Sequence, residues 1–206
     1  MTADQPTLPP LLGQATPIEL MNTIWADRHG LHDSLAALRD AHHWLTALAP
    51  RLPDPVIASN LSDNGLPRLR DLRNALRRLA AERTTDPRSR AASAMTSLNT
   101  AINTVNRNAR AAHTWQALEL TDDGTVTEGS HTSGSPDDLL LHTLATQAVA
   151  LFARWDDLDL RVCLAPGCVL YFLKDHPRRE WCSTACGNRA RAARHYARHG
   201  RASASE

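Results

Sequence analysis

Two cysteine pairs near the C-terminus decide the fold: Cys163-Leu-Ala-Pro-Gly-Cys168 and Cys182-Ser-Thr-Ala-Cys186. Four residues lie inside the first pair, thirteen lie between the pairs, and three lie inside the second pair. The chain has no other cysteine. Each pair can bring two sulfurs to one ion, and the segment between the pairs can close a tetrahedral site. We therefore predict a structural zinc site whose ligands are Cys163, Cys168, Cys182 and Cys186.

Other uses of these cysteines are two disulfides or four unrelated thiols. Disulfides need an oxidising compartment, and the first twenty residues lack the basic start and apolar run of a secretory signal. His176 could replace one cysteine as a ligand, but structural zinc sites close at four ligands. The longest apolar-rich stretch, residues 139–152, is too short and too polar to cross a bilayer. We therefore expect a cytoplasmic protein without a membrane partner.

The residues around the cysteines predict a treble-clef-like zinc module. Gly167 lies immediately before Cys168 in the first knuckle, where the backbone needs an unusual turn. The apolar segment at residues 169–173 is expected to form one strand, and residues 178–181 are expected to return as a second strand. Ser183 can cap a final helix, which places Cys186 in the first turn of that helix.

The final helix carries two stripes at a rotation of about 100° per residue. The first stripe is expected to face the metal, and it consists of Cys186, Ala190, Ala193 and Ala197. The second stripe lies about 100° further round the helix, and it consists of Arg191, Arg194, Arg198 and Arg201. A basic stripe on a metal-anchored helix can contact phosphates or enter a major groove. The alternative is a basic face that is simply solvated.

Charge is unevenly distributed along the chain. Residues 161–206 carry nine Lys/Arg and three acidic residues, whereas the rest of the chain carries fourteen basic and nineteen acidic residues. The net charge of +1 therefore hides a basic C-terminal segment. This segment keeps a positive surplus even after the negative charge of a tetrathiolate zinc site is added, so it suits an anionic partner.

The rest of the chain predicts a mainly α protein with a helical N-terminal domain and one small β-hairpin. Residues 1–15 are interpreted as an N-terminal arm, residues 16–157 as the helical domain, and residues 158–206 as the zinc module with its basic C-terminal helix. The boundary falls at the polar joint that follows Trp155.

Helix signals divide the N-terminal domain. Thr16 followed by Pro17 predicts the capped start of a first helix that runs to about Gly30. Leucine stripes predict a second helix over residues 31–48 and a third around residues 69–79. Asp86-Pro87 predicts the start of a fourth helix by the same cap-and-proline pattern.

The pattern changes after these helices. Asp123-Gly124 supplies the positive φ of a tight turn, so residues 115–127 are expected to form the hairpin. The polar residues 128–135 are expected to form a surface loop. Ser135-Pro136 then predicts the capped start of a fifth helix.

Two polar groups inside the domain have more than one interpretation. Asn22 and Thr23 lie within an apolar segment and must find hydrogen-bond partners. They either line a ligand cavity of a sensing domain or tie helices together, and the second is favoured. A further group of polar residues, the histidines at 29, 32, 42 and 43, lacks the converging supporting groups of a metal site.

Trp181-Cys182-Ser183 followed by Cys186-Gly187-Asn188-Arg189, with a basic helix beyond, resembles the CGNR zinc-finger family. Leu20-Met21-Asn22-Thr23 resembles the L-x-N-T signature of the helical ABATE domain that precedes this finger in the family. Many members have four residues between the last two cysteines, where this chain has three. The resemblance implies zinc ligation by the four cysteines and a stress-induced transcription regulator of bacteria. Gly187, Asn188 and Arg189 belong to the signature, and our own expectation is that Arg189 binds a phosphate or an internal carboxylate.

We therefore expect a transcription regulator whose zinc module holds an arginine-rich helix against DNA. The helical domain would sense a small-molecule effector or form a homodimer. The alternative is a protein-interaction module in which the zinc unit caps the helical domain without binding nucleic acid. An enzyme is not expected, because the sequence lacks a nucleophile elbow, a phosphate loop and a dinucleotide fingerprint. His195 and His199 lie too far beyond Cys186 for a metal-dependent nuclease.

Overall fold

The computed structural model describes residue 9 and residues 11–53, 60–88 and 93–202, except the side chains of residues 199–202. Its α-helices are α1 (Thr16–Met21), α2 (Leu38–Leu48), α3 (Gly65–Thr84), α4 (Leu98–Ala109), α5 (Pro136–Phe152) and α6 (Thr184–Ala202). Its antiparallel hairpins pair β1 (Ile24–Asp27) with β2 (Gly30–Asp33), β3 (His113–Leu120) with β4 (Val126–Ser133), and β5 (Leu160–Val162) with β6 (Tyr171–Leu173). The predicted mainly α fold with a C-terminal zinc module is confirmed.

The main core is built from leucine and alanine, because the chain has few aromatic residues. Leu69 and Leu72 of α3 and Leu140 of α5 are fully buried in it. The core continues into the zinc module, since Leu160 of β5 and Tyr171 of β6 belong to the same apolar cluster. The zinc module is therefore packed on the helical domain rather than tethered to it.

Several local predictions are confirmed. The Ser135 hydroxyl accepts a hydrogen bond from the N–H of Asp138 at 3.2 Å, and the Asp138 carboxylate accepts one from the N–H of Ser135 at 3.1 Å, so the start of α5 is a capping box. Gly124 has a φ of 80° in the turn between β3 and β4. The predicted loop at residues 128–135 is wrong over most of its length, because β4 pairs with β3 as far as Ser133.

The bounds of the predicted first and second helices are wrong. Helix α1 ends at Met21, and the chain then forms β1 and β2, so the helical domain has two hairpins where one was expected. Ile24 and Trp25 favour a strand locally, and Trp25 is buried among residues of the zinc module. This tertiary contact outweighs the helical spacing. Leu31, which opens the predicted second stripe, is 59% exposed, and α2 begins at Leu38.

The predicted caps at Thr16 and Asp86 are also wrong. Ala15 is the N-cap of α1, and α4 begins at Leu98 after Ser97, whose hydroxyl accepts the N–H of Thr100 at 3.2 Å. Asp86 instead accepts two hydrogen bonds from a neighbouring arginine. A carboxylate beside a proline looks the same in sequence whether it caps a helix or binds a cation.

The hairpin of the zinc module differs from its prediction. Strand β6 pairs with β5, which precedes the first cysteine pair, and residues 178–181 do not form a strand. The β5–β6 hairpin therefore holds the first knuckle between its strands. In the part of the chain that the structure describes, no helix combines the length and apolar character needed to cross a membrane.

Candidate zinc centre and the helix it anchors

The four cysteine sulfurs converge on one point. All four Sγ atoms lie within 4.8 Å of one another, and all four side chains are buried. The Sγ of Cys182 lies 3.4 Å from that of Cys186 and 3.8 Å from that of Cys168. A tetrahedron with zinc–sulfur bonds of about 2.3 Å has sulfur–sulfur edges of about 3.8 Å, so the four thiols fit zinc. A disulfide bond would need about 2.05 Å. Zinc there would be structural, because four sulfur ligands leave no open position.

Backbone geometry presents each pair of sulfurs. In the first knuckle the N–H of Cys168 donates to the carbonyl of Ala165 at 2.9 Å, and Gly167 takes a φ of 76° as predicted. In the second, the N–H of Cys186 donates to the Ser183 hydroxyl at 3.2 Å, so the residue before α6 caps the helix that carries the last cysteine. A knuckle and a helix N-terminus therefore each contribute two sulfurs.

Hydrogen bonds among the thiols redistribute their protons. Hydrogen bonds with Cys168, the largest cause, and with Cys182 lower the pKa of Cys163 to about 7. The pKa of Cys186 also lies below its usual value, because Cys163, Cys168 and Cys182 all donate to it. A hydrogen bond with Cys163 is the main cause that raises the pKa of Cys168 and of Cys182, and burial acts in the same direction. Zinc binds cysteine as the thiolate.

Apolar side chains enclose the sulfurs. Trp25 from β1 and Phe172 from β6 lie in the same buried cluster as the cysteines, with Ala190 of α6. Trp181 packs against this cluster, and a Cβ added to Gly187 would lie 3.1 Å from the Cδ1 atom of its indole ring. Gly187 of the resembled signature therefore allows Trp181 to approach the first turn of α6.

Arg88 is a site residue that the sequence analysis missed. Its Nη1 donates to the carbonyl oxygens of Cys163 at 3.2 Å and Leu170 at 3.1 Å, with Cys168 at 3.4 Å. Its Nε and Nη2 each bind a carboxylate oxygen of Asp86 at 2.8 Å. The segment after α3 therefore holds the first knuckle by its backbone. No local signal could have revealed this, because the carbonyl partners lie at least 75 residues further along the chain.

Tyr171 connects this ion pair to α3. Its hydroxyl donates to Asp86 at 2.7 Å, and the guanidinium groups of Arg77 and Arg88 lie 5.1 and 4.9 Å from its ring centroid. Burial raises the pKa of Tyr171 to about 12 and lowers the pKa of Arg77 to about 10. Burial also acts to raise the pKa of Asp86, but hydrogen bonds from Arg88 and Tyr171 outweigh it and hold that pKa below its usual value.

Asn22 and Thr23 are engaged with the protein itself. The Asn22 amide donates to the carbonyl of Tyr171 and accepts its N–H, both at 2.9 Å, as a paired strand would. The Thr23 hydroxyl donates to the carbonyl of Leu20 at 2.8 Å and accepts from Arg73 at 3.5 Å. These contacts support the structural interpretation of the two residues, because Asn22 joins the end of α1 to the zinc module.

The predicted N-terminal arm also contacts the zinc module where it is described. Residues 1–8 and 10 lie outside the described residues. The side-chain oxygen of Gln14 accepts the N–H of Leu173 at 2.7 Å, and Leu12 packs against the zinc cluster. The buried carboxylate of Glu19 accepts the N–H of Gln14 at 2.7 Å and pairs with Arg51 at 3.0 Å. Residues 11–15 are therefore part of the folded protein.

Helix α6 is buried only at its start. Cys186 and Ala190 lie in the zinc cluster, whereas every residue from Arg191 to Arg198 is exposed. The predicted metal-facing stripe is therefore wrong at Ala193 and Ala197. The apolar body ends at Ala190, so the following turns project beyond it and are exposed in the described structure.

The predicted arginine stripe lies on this projecting part. Arg191 is hydrogen-bonded to the Asn188 side chain, and the guanidinium of Arg194 lies 5.6 Å from the ring centroid of Trp181. Arg189 is different, since its Nη2 donates to the Sγ of Cys186 at 3.1 Å. The side chain of Arg201 lies outside the described residues. Among the side chains that are described, no carboxylate forms an ion pair with an arginine of α6.

Four buried thiols at tetrahedral spacing, presented by a knuckle and a helix N-terminus, place this chain among the zinc-finger proteins. Residues 160–199 match the CGNR zinc finger, and residues 14–155 match the ABATE family, described as "Putative stress-induced transcription regulator". Because the second match covers more than half of the chain, the protein belongs to the ABATE family. It carries a C-terminal CGNR zinc finger and a zinc site, as its signatures implied. No curated protein matches the chain.

Proposed function

We propose that this protein is a DNA-binding transcription regulator. Zinc held by Cys163, Cys168, Cys182 and Cys186 would anchor α6, and the exposed part of α6 would contact the phosphate backbone. In this proposal residues 16–157 form the regulatory domain and residues 158–206 the DNA-binding module. Catalysis has no part in it, since the family descriptions name a regulator and a zinc finger and neither names a reaction.

The observation that carries the proposal is an exposed, uncompensated basic helix. Arg191, Arg194 and Arg198 are exposed on one side of α6, and the helix contains no acidic residue between Thr184 and Ala202. The planar guanidinium group of arginine can donate two hydrogen bonds to one phosphate. Electrostatic attraction between basic side chains and the phosphate backbone supplies a large share of the affinity for duplex DNA. A basic helix without internal ion pairs keeps its donors available for that contact.

The zinc centre would give this helix a fixed direction. The three arginines span about 10 Å along the helix axis, because Arg198 is seven positions after Arg191 and each residue adds about 1.5 Å. An unpacked helix of this length is marginal in water by itself. Its first turn is held by Cys186, by the Ser183 cap and by packing of Ala190. The metal would therefore act as a clamp, and recognition would belong to the helix beyond it.

The alternative function is a protein-interaction module in which the zinc unit caps the helical domain. It requires the arginine stripe to be buried against residues 1–155. The body of the zinc module does pack on that domain, but Arg191, Arg194 and Arg198 are exposed in the described structure, which favours the DNA proposal. A small-molecule effector stays a prediction from the sequence, and Asn22 and Thr23 are structural residues in this proposal.

Fluorescence anisotropy with labelled duplex fragments, recorded over a salt series, tests the proposal. Wild-type protein should bind, and its affinity should fall steeply with salt. The triple variant Arg191→Ala, Arg194→Ala, Arg198→Ala should bind at least about 100-fold more weakly. The slope of log binding constant against log salt concentration should become shallower by about 2 to 3, since each phosphate contact contributes about 0.9.

A matched control removes the same charge elsewhere. The variant Arg107→Ala, Arg110→Ala, Arg154→Ala changes three exposed arginines of the helical domain, and it should bind DNA like the wild type. Absence of wild-type binding at low salt would refute the proposal, and so would equal losses in the two triple variants.

A further inference from the structure

The β3–β4 hairpin carries an uncovered apolar face. Leu118, Leu120 and Val126 are 81%, 73% and 60% exposed. Leu118 and Leu120 point to the same side because they are two residues apart, and Val126 pairs directly with Leu120 across the hairpin. On the other side Trp115 stacks on His113 and His131, with ring centroids 5.7 Å apart in both cases. The side chains of the Trp115 face therefore stack on one another. The opposite face leaves three apolar side chains exposed to a partner.

This hairpin is also acidic. It contains four exposed acidic residues, Glu119, Asp122, Asp123 and Glu128. The whole segment from Ala111 to Ala153 has no lysine or arginine. Glu128 pairs with Leu118 across the strands and so lies on the apolar face. A partner of this face should combine apolar and positively charged side chains.

The projecting part of α6 has this combination. Tyr196 is 75% exposed, and Ala193 and Ala197 are exposed beside it at helical spacing. Arg194 follows Ala193 and Arg198 follows Ala197. Each arginine therefore lies about 100° round the helix axis from its alanine. A small apolar stripe flanked by arginines is the complement of an apolar strand face flanked by carboxylates.

We propose that two copies of this chain form a reciprocal dimer, in which the β3–β4 hairpin of each copy docks on the projecting part of α6 of the other. Within one chain both surfaces are exposed, so the contact is between copies. Two equivalent contacts related by a two-fold axis close the assembly. A dimer built from two apolar hairpin faces instead would bring together Asp122, Asp123 and Glu128 of both copies, and like charges across an interface oppose association.

The inference shares α6 with the proposed function but does not require DNA binding. If both hold, the hairpin of the partner copy covers Arg194 and Arg198 and competes with DNA for them. Oligomeric state measured without DNA tests the dimer alone, and hairpin variants leave every arginine of α6 in place.

Sedimentation velocity over a range of protein concentrations, at low and high salt, provides the test. Wild-type protein should dimerise with concentration, and high salt should weaken the dimer. The hairpin variant Leu118→Ser, Leu120→Ser should raise the dimer dissociation constant at least about tenfold, a change of about 1.4 kcal/mol. A control with serine at Ile102, an exposed apolar residue of α4, should dimerise like the wild type.

Charge reversal identifies the two surfaces. One variant carries Asp122→Lys, Asp123→Lys and Glu128→Lys, and the other carries Arg194→Glu and Arg198→Glu. Each alone should be monomeric, whereas an equimolar mixture should form a heterodimer, because both of its contacts again join opposite charges. A wild type that stays monomeric at all concentrations overturns the inference. A mixture without heterodimer does so as well, provided that both variants keep one zinc per chain.

Discussion

The two halves of α6 share one helix and have opposite surroundings. The first half carries Cys186 and Ala190 inside the zinc cluster, whereas every residue of the second, from Arg191 to Arg198, is exposed in the described structure, with Arg194 over the ring of Trp181. Helical spacing continues unchanged across the boundary. The difference shows that the periodicity of a helix sets which residues share a face, and that the extent of the neighbouring body sets how many of them are buried.

The two halves of α6 should also differ in what a substitution changes, namely the stability of the fold or the binding of a partner. Burial and zinc ligation stabilise the first half, and substitutions there should change the folded state. The second half has few contacts to lose, so substitutions there should change binding and leave stability nearly constant.

Removal of the metal should have the largest effect on stability. Cys182→Ser should abolish stoichiometric zinc binding, because three thiolates and a hydroxyl do not reproduce the tetrathiolate site, and structural zinc contributes on the order of 10 kcal/mol. Native mass spectrometry should find one zinc per wild-type chain and none in the variant. Chelation of the wild type should reproduce the loss, and added zinc should reverse it. A wild-type mass equal to the bare polypeptide with two disulfides would contradict the zinc site.

Arg88→Ala should cost about 3–5 kcal/mol, because it leaves the buried carboxylate of Asp86 without its cation. Urea unfolding at pH 7 measures this cost, with Arg107→Ala as an exposed control. The pKa of Asp86 lies below its usual value in the folded protein, so the ion pair stabilises the fold fully above about pH 4. Its contribution is lost as the pH falls through the folded pKa. The gap between variant and wild type should therefore narrow in acid, and a gap independent of pH would contradict the ion pair.

The same substitution on either side of the boundary in α6 should have different effects. Ala190→Glu should destabilise the protein by about 2–4 kcal/mol, because it buries a charge beside the zinc cluster. Ala197→Glu should change stability by no more than about 0.5 kcal/mol, as expected for an exposed position. Thermal unfolding of the two variants makes the comparison. Equal destabilisation would mean that the apolar body extends further along α6 than the structure places it.

Asn22→Ala should destabilise the protein by about 1–3 kcal/mol, since it leaves the N–H and carbonyl of Tyr171 without partners in a buried place. Hydrogen exchange at the Tyr171 amide should speed up in this variant more than exchange in α3. Asn106→Ala, on the exposed side of α4, serves as the control. Unchanged exchange at Tyr171 would argue that Asn22 has another role.

The sequence predicts the features that depend on neighbours along the chain. The convergence of the four cysteines, the Ser183 cap and the capped start of α5 at Ser135 agree with what spacing predicts, since each needs only a few nearby residues. The turn at Gly124 follows from the same local logic, because a positive φ is steeply unfavourable for most other residues.

The errors lie where distant partners outweigh local preference. Trp25 leaves a helical pattern to be buried beside the cysteines, and Asp86 binds Arg88 and Tyr171 instead of capping a helix. Arg88 itself was overlooked, although it holds the backbone of the first knuckle. Each of these contacts joins residues far apart in sequence, so no window of local sequence contains both partners.

The sequence alone determined the zinc-like spacing of the four cysteines, the mainly α character and the arginine stripe of α6, because cysteine spacing, hydrophobic period and side-chain charge are properties of the chain itself. Only the tertiary structure decided that the zinc module shares its core with the helical domain, that Asn22 and Arg88 hold it there, and that α6 leaves the body after Ala190. The reason is physical: burial is a property of the surfaces that meet, and those surfaces exist only after distant segments have packed.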